Sequence, residues 1–248
     1  MKQVIIYNQI NLEYHGGARY KNEELFNFLK ANIDQSLRLG WKPEEIILGT
    51  NFEFSYRNVK SIKLSNVCEW SGFNNFWYGI QELFELGIID DDIWLHDHDS
   101  WPISKFDFPE FQGEIAGCEY IKTPYWNCSS IYLKKSSKPI LDYIVDSLNA
   151  NRDANVSSDE VIVGFCRFNP QSPIKNYLTS INTRYNTGIT SFTERKNTAI
   201  KPIYVLGFNP STEWGIKKII ETEIYNLIDN EFSKILLKYF NYPIKNKQ

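Results

Sequence analysis

The chain has 248 residues, with 30 acidic and 27 basic side chains and a net charge of −3. That length suits one large domain, or one domain with an appendage. The charge argues against electrostatic capture of nucleic acid or anionic membrane over a broad face, and leaves only a local basic patch open. Aromatic residues are abundant, with 7 Trp, 15 Tyr and 16 Phe. They suit either a site that stacks on bases and sugar rings or simply an aromatic core.

The four cysteines, Cys68, Cys118, Cys128 and Cys166, form no CxxC pair and sit mostly in apolar surroundings. Free buried thiols in a reducing compartment are expected, not a zinc site or a disulfide frame. The apolar start, Gln3 to Tyr7, is too short for a signal peptide, and no run approaches a membrane span. The expectation is a soluble, cytoplasmic protein.

Gln3 to Tyr7 reads as a buried strand ending at Asn8-Gln9. The following loop holds His15-Gly16-Gly17-Ala18-Arg19. Its glycines could let backbone amides approach a phosphate, but it lacks the Lys-Ser/Thr of a phosphate-binding loop, so a flexible turn is the better reading. Leu25, Leu29, Ile33 and Leu37, widened by Phe26, predict a helix over 22–39, with Gly40 as its cap and Pro43 as its stop. Ile46 to Leu48 is a second strand, ending at Gly49-Thr50-Asn51, and Val59 to Leu64 a short third. Phe76, Ile80, Leu83 and Phe84 predict a helix over 74–86, capped by Gly87. Asp90-Asp91-Asp92 reads as a solvated acidic turn.

An apolar strand, Ile93 to His96, then runs into Asp97-His98-Asp99. Continued as a strand, it would place Asp97 and Asp99 on one side, about 7 Å apart. Two carboxylates there make half of an oxygen cage for a hard divalent cation. His96 reads as a core histidine, and His98 as pointing away from the acids. The alternation of strands and helices predicts a mostly parallel sheet flanked by helices, with ligands at the carboxyl ends of the strands. Tyr7-Asn8, Thr50-Asn51 and Asp97-His98-Asp99 should therefore converge.

Pro102 to Phe111 is a loop, and Glu114 to Cys118 a strand. Trp126-Asn127-Cys128-Ser129-Ser130 leads into the strand Ile131 to Leu133. Trp126 suits sugar stacking or the core equally. A helix opens near Ser137 with Pro139 in its first turn, and a second at Ser157-Ser158-Asp159-Glu160, where Ser157 and Glu160 have capping-box spacing. Pro202 to Leu206 is a late strand, followed by Gly207-Phe208-Asn209. Helices over about 212–228 and 231–240 close the chain.

This order of motifs resembles a glycosyltransferase of the GT-A fold over roughly residues 3–210, with 211–248 as a C-terminal helical extension. Asp97-His98-Asp99 is similar to that family's DxD motif. Trp126 to Leu133 resembles its segment of an Asn and small residues before an apolar strand. Ser158-Asp159-Glu160-Val161 resembles its acidic helix start, and Tyr185-Asn186 also fits. The resemblance implies a nucleoside-diphosphate sugar donor, UDP-sugars first, and Mn²⁺ or Mg²⁺ on Asp97 and Asp99. Family members often take a third ligand, a His, from a late strand. Here no histidine follows His98, and Asn209 stands at about that place. Tyr7, Asn8, Thr50, Asn51, Asp97 and Asn127 would hold the donor, and Arg19 could approach a phosphate.

Asp159 would act as general base on the acceptor hydroxyl or as a contact to a sugar hydroxyl, against a bland role in capping its helix. Glu160 is read as structural. The acceptor could be a glycan, a lipid-linked sugar or another hydroxyl-bearing molecule, modified DNA included. The lysines at 134, 135, 138, 217 and 218 could meet a phosphate-bearing acceptor, although such clusters are more often solvated. The C-terminal helices could cover the acceptor side or form a homodimer contact. The rival readings are a sugar-nucleotide-forming nucleotidyltransferase, for which the glycine loop lacks its lysine, and a non-catalytic nucleotide- or carbohydrate-binding module.

Overall fold

A computed structural model describes residues 1–9, 22–120, 123, 125–152, 158–188, 192–221 and 223–243. The glycine loop with Arg19, and Ser157 of the capping pair, lie outside the described residues.

The chain folds in the order β1 (Lys2–Tyr7), α1 (Asn22–Arg38), β2 (Ile46–Thr50), β3 (Ser55–Tyr56), β4 (Val59–Lys63), α2 (Asn75–Glu85), β5 (Ile93–His96) and β6 (Ser100–Pro102). It continues with β7 (Ile115–Glu119), β8 (Trp126–Leu133), α3 (Lys138–Ala150), α4 (Asp159–Phe168), β9 (Leu178–Ser180), β10 (Thr187–Gly188), α5 (Phe192–Thr198) and β11 (Val205–Gly207). Helices α6 (Glu213–Glu221), α7 (Ile224–Leu227) and α8 (Asn230–Phe240) end it. Eight strands form the central sheet in the order β3-β4-β2-β1-β5-β8-β7-β9, and β10-β11-β6 form a small second sheet.

The α/β expectation holds, with the sheet more mixed than the sequence rhythm suggested. β4, β2, β1 and β5 are parallel neighbours, whereas β8 runs antiparallel to both β5 and β7. The reason is the connection: β7 turns into β8 over a few residues, too short for the crossover a parallel partner needs.

Strand alternation assigns the two faces. Val4 and Ile6 of β1, Ile93 and Leu95 of β5, and Ile131 and Leu133 of β8 pack under α2, α3 and α4. Ile5, Tyr7, Trp94 and Tyr132 face the opposite way, where Leu25, Leu29 and Ile33 of α1 cover them. A third cluster joins Phe28 and Ala31 of α1 to Trp101, Leu206, Phe232 and Leu236, and so seats α8 and the small sheet together. Asp229 caps α8 by accepting from Phe232 N at 2.7 Å and pairs with Arg38 of α1 at 2.9 Å.

α2 approaches β1 and β2 closely because two glycines lack a side chain. A Cβ on Gly79 would meet Ile6 Cγ2 at 2.5 Å and Leu64 Cδ1 at 3.0 Å, and one on Gly49 would meet Ile6 Cδ1 at 2.7 Å. Gly79→Ala is therefore expected to destabilise the chain by about 1–3 kcal/mol through overpacking. Chemical denaturation would show it as a lower midpoint at unchanged slope.

All four cysteines are buried and free, as expected. Trp126 takes the core reading: it is buried, donates Nε1–H to Ser180 Oγ at 3.1 Å and lies against Gly117. Among the described residues no helix is long and apolar enough to cross a membrane.

Candidate active site

The acidic motif sits where the main sheet hands the chain to the small one. β5 ends at His96, and Asp97-His98-Asp99 is a turn closed by Ser100 N donating to Asp97 O at 3.0 Å. The two carboxylates are thus neighbours through a turn and not through strand pitch, which corrects the strand-alternation argument. Asp97 N donates to Ser129 O of β8 at 2.9 Å, and Asp99 O accepts from Phe208 N after β11 at 3.0 Å.

Buried side chains fix this turn. His96 stacks on Trp94, with ring centroids 4.0 Å apart. Its Nδ1 meets Asp97 O at 2.8 Å, and its Nε2 meets the Gln3 amide nitrogen at 2.7 Å. The only complementary assignment puts the proton on Nδ1, donating to Asp97 O, and makes Nε2 the acceptor from Gln3. Burial holds its pKa down at about 3, so this ring stays neutral. His98 points elsewhere, edge-on to Tyr7 at 5.0 Å and Phe28 at 5.1 Å. Asn32 of α1 donates to Ser100 O at 2.8 Å and His98 O at 3.2 Å, and accepts from Gln3 at 3.3 Å. Asn32→Ala would remove a donor from the buried Ser100 carbonyl and from the part-buried His98 carbonyl. The expected cost is about 1–3 kcal/mol of stability and about tenfold in Mn²⁺ affinity, read by thermal melting and by metal titration.

Asp159 and Glu160 open α4 on the face that also receives Asp97. Asp159 is 6 % exposed and accepts from Trp77 Nε1–H at 2.9 Å and from Glu160 N at 2.9 Å. Removal from water raises its pKa to about 7, the Trp77 bond opposing. The same desolvation raises Asp97 well above the ordinary carboxylate range, reinforced by the charges of Asp99, Asp159 and Glu160, and also raises Asp99. Four acids therefore share one edge of the sheet, and desolvation opposes their charged forms. Glu160 is more than a cap: it accepts from Tyr120 OH at 2.8 Å and from Cys128 N at 3.4 Å.

Asn127 joins this cluster. It donates to Tyr120 OH at 2.8 Å and accepts from Ser129 Oγ and from Asn186 Nδ2, the latter at 3.0 Å. Tyr120 also borders a groove of about 240 Å³ together with Glu119, Ser180 and Asn182.

The other expected positions are placed as follows. Tyr7 is buried and meets Phe52 edge-on at 6.4 Å. Asn8 donates to Asn75 Oδ1 at 3.4 Å, and its own buried Oδ1 has no partner among the described residues. Thr50 is fully buried with its hydroxyl on Phe52 O at 2.5 Å. Asn51 binds both backbone groups of Gln9, at 2.8 and 2.7 Å. Thr50 and Asn51 thus close the β1–β2 edge. Asn209 follows the residue that binds Asp99 O, but its Oδ1 accepts from Ser211 N at 3.1 Å and Ser211 Oγ at 2.8 Å, turning the chain into α6.

Trp77, Asn32, Tyr120 and Arg195 belong to the site or its support and were not expected from sequence. Only Tyr120 carried a usable signal, since it directly follows β7 at the carboxyl edge.

The donor set suits a hard cation in part. Both carboxylates are half-buried and raised first by removal from water; the charge of Asp99 adds to this at Asp97, whereas His98 opposes it at Asp99. No group of three His, Cys, Asp or Glu side chains that could hold a metal occurs among the described residues. Such a set, completed by amide, water or phosphate oxygens, fits Mg²⁺ or Mn²⁺ better than a soft metal.

No family model and no curated protein matches the sequence. Solved structures do match the fold. The glycosyltransferase GlyE of Streptococcus pneumoniae TIGR4 is similar with a TM-score of 0.55 at 12 % identity, over 99 % of this chain and 67 % of GlyE. Its apo form gives 0.58 at 13 % identity, over 99 % and 66 %. The galactosyltransferase LgtC, solved with donor and acceptor sugar analogues, gives 0.55 at 10 % identity, over 96 % of both chains. The chain thus spans about two thirds of GlyE. At these identities the likeness establishes the fold, which is the GT-A-like fold of these glycosyltransferases.

Proposed function

We propose that the chain is a glycosyltransferase that moves a sugar from a nucleoside-diphosphate sugar, UDP-sugars first, to a hydroxyl acceptor. One observation carries this reading: Asp97, Asp99, Asp159 and Glu160 gather at the carboxyl edge of the sheet, and Asp97 is raised by removal from water and then by the charges of the other three. Structural turns do not need four desolvated acids together; a site for a cation and a sugar does.

Asp97 and Asp99 would hold Mn²⁺ or Mg²⁺, which when bound supplies positive charge to a departing diphosphate. Asn209 would join them on giving up Ser211. Asp159, oriented by Trp77, takes the proton of the acceptor hydroxyl; a carboxyl with a pKa of about 7 suits that exchange at neutral pH. Asn127, in the network of Tyr120 and Glu160, faces the donor sugar. Asn8 and Tyr7, at the end of β1, would hold the nucleoside. The groove beside Tyr120 offers the acceptor a path. The extension 211–248 is proposed as a C-terminal addition to the catalytic unit.

The test is a donor screen. Hydrolysis and transfer are followed for UDP-, GDP- and CMP-sugars with Mn²⁺, Mg²⁺ or chelator. Metal-dependent turnover of one donor supports the proposal. The absence of both hydrolysis and nucleotide binding across the screen would sink it. Proton NMR of the transferred sugar's anomeric centre tests the base: inversion supports Asp159 in that role, and retention assigns it to sugar contact.

A further inference from the structure

We propose that Arg195 receives an oxyanion of the substrate, a phosphate or a carboxylate, where α5 packs against the end of β7 and the β10–β11 ladder. This deepens the reading of the site given under Proposed function, and rests on it for the identity of the ligand.

Arg195 is a fully buried guanidinium on α5. One nitrogen, Nη2, reaches the carbonyls of Cys118 at 3.4 Å and Glu119 at 3.2 Å, at the end of β7. Nε and Nη1 are buried and have no hydrogen-bond partner among the described residues. The charge stands 5.2 Å from the ring centroid of Tyr120, whose hydroxyl joins Glu160 to Asn127. Buried arginines are normally matched by a carboxylate in fork geometry. Here Glu160 is felt only through its field, and desolvation pulls the arginine pKa down. A structural role in tying two carbonyls uses one nitrogen and explains neither of the other two.

A second observation comes from the opposite chemical type. Asn186 is fully buried, and its Nδ2 donates to Asn127 O at 3.1 Å, Asn127 Oδ1 at 3.0 Å and Ser129 Oγ at 3.3 Å. Those three acceptors fix the orientation of the amide. Its Oδ1 is then left buried with no donor among the described residues, 3.7 Å from where a Cβ on Gly207 would lie. Gly188, paired with Gly207, leaves room beside the guanidinium, since a Cβ there would come within 2.9 Å of Arg195 Nη1. The two glycines thus lie beside a cationic donor and a neutral acceptor. A ligand with an oxyanion and a hydroxyl meets both, as a sugar diphosphate or an acidic sugar does.

The experiment compares wild type with Arg195→Gln and Gly188→Ala by isothermal titration, each with Mn²⁺ present. The probes are uridine, UDP, UDP-glucose, UDP-glucuronate, inorganic pyrophosphate and free glucuronate. Arg195→Gln is expected to weaken at least one anionic probe tenfold or more and to leave uridine unchanged. Loss that begins at UDP and pyrophosphate identifies a phosphate; loss confined to the glucuronate probes identifies a carboxylate. Gly188→Ala, which crowds Nη1 without changing charge, should weaken the same probe and serves alone if Arg195→Gln fails to fold. Equal losses for uridine and the anions, or no loss for any, would overturn the proposal. Arginine-dependent binding of pyrophosphate or glucuronate with no binding of any nucleotide would keep it, and remove the glycosyltransferase reading instead.

Discussion

Asp97→Asn combined with Asp99→Asn should abolish sugar transfer, by at least ~10³-fold, while leaving a folded and more heat-resistant metal-free chain. The two effects share one cause. Desolvation disfavours both carboxylates in their charged forms, and the charge of Asp99 adds to it at Asp97, so neutral amides of the same shape relieve the folded state. Relief of about 1–3 kcal/mol corresponds to a rise of a few degrees in melting temperature for a domain of this size. Mn²⁺ added to wild type should raise its melting temperature by mass action, and the doubly substituted chain should not respond. Transfer assays paired with thermal melts, in chelator and in Mn²⁺, provide the check. Full activity in the double variant would remove the cation site.

Asp159→Asn comes second in expected size. As proton acceptor or as sugar contact, Asp159 touches the reacting groups, so transfer should fall about 10²–10⁴-fold. Its effect on stability depends on pH, with a definite sign. The folded-state pKa of about 7 lies above the ordinary 3.8, so the native chain holds this proton more tightly than the unfolded one. Below about pH 4 both states are protonated and Asp159 carries no penalty. Between pH 4 and 7 the unfolded carboxyl ionises first, and stability falls as pH rises, reaching a cost of about 4 kcal/mol above pH 7. Asparagine removes that cost but repels the Glu160 N–H that Asp159 accepts. A net gain of about 1–3 kcal/mol at pH 8, vanishing at pH 4, is expected from urea unfolding. A variant less stable than wild type at pH 8 would contradict the assigned burial of charge.

Much of the framework could be read from residue periodicity. The stripe Leu25, Leu29, Ile33 gave α1 within a residue, and Ile93 to His96 was bounded as it stands. Elements of two or three residues could not be read. β3, β6, β9 and β10 are too short to show a period of two, and their pairing comes entirely from long-range contacts. The acidic pair illustrates the same limit. Its neighbours in sequence announced a strand, but Ser100 leaves for a second sheet, and only a turn at Asp97 allows that.

Residues that stand in the chain's own motifs could be singled out. The sequence marks Asp97, Asp99, Asp159 and Asn127 as candidates and Glu160 as structural, and the structure brings these five to one edge of the sheet. Supporting residues escaped because their roles are set by distant partners. Trp77 looks like any apolar residue of α2 until Asp159 arrives at its indole nitrogen. Arg195 looks like a solvated helix residue until α5 is folded against β7. Thr50 and Asn51 sit at a strand end, as ligand-binding residues do, yet their polar groups are taken by Phe52 and Gln9.

The acidic turn has a mechanical consequence. Asp97 is fastened to the large sheet through Ser129, and Asp99 to the small sheet through Phe208. Any ion that draws the two carboxylates together would act as a rivet between the sheets. Occupancy would then stiffen β6, β10 and β11 along with the acids themselves. Amide hydrogen exchange at Leu206 and Gly207 would slow on loading, several residues from the nearest ligand oxygen.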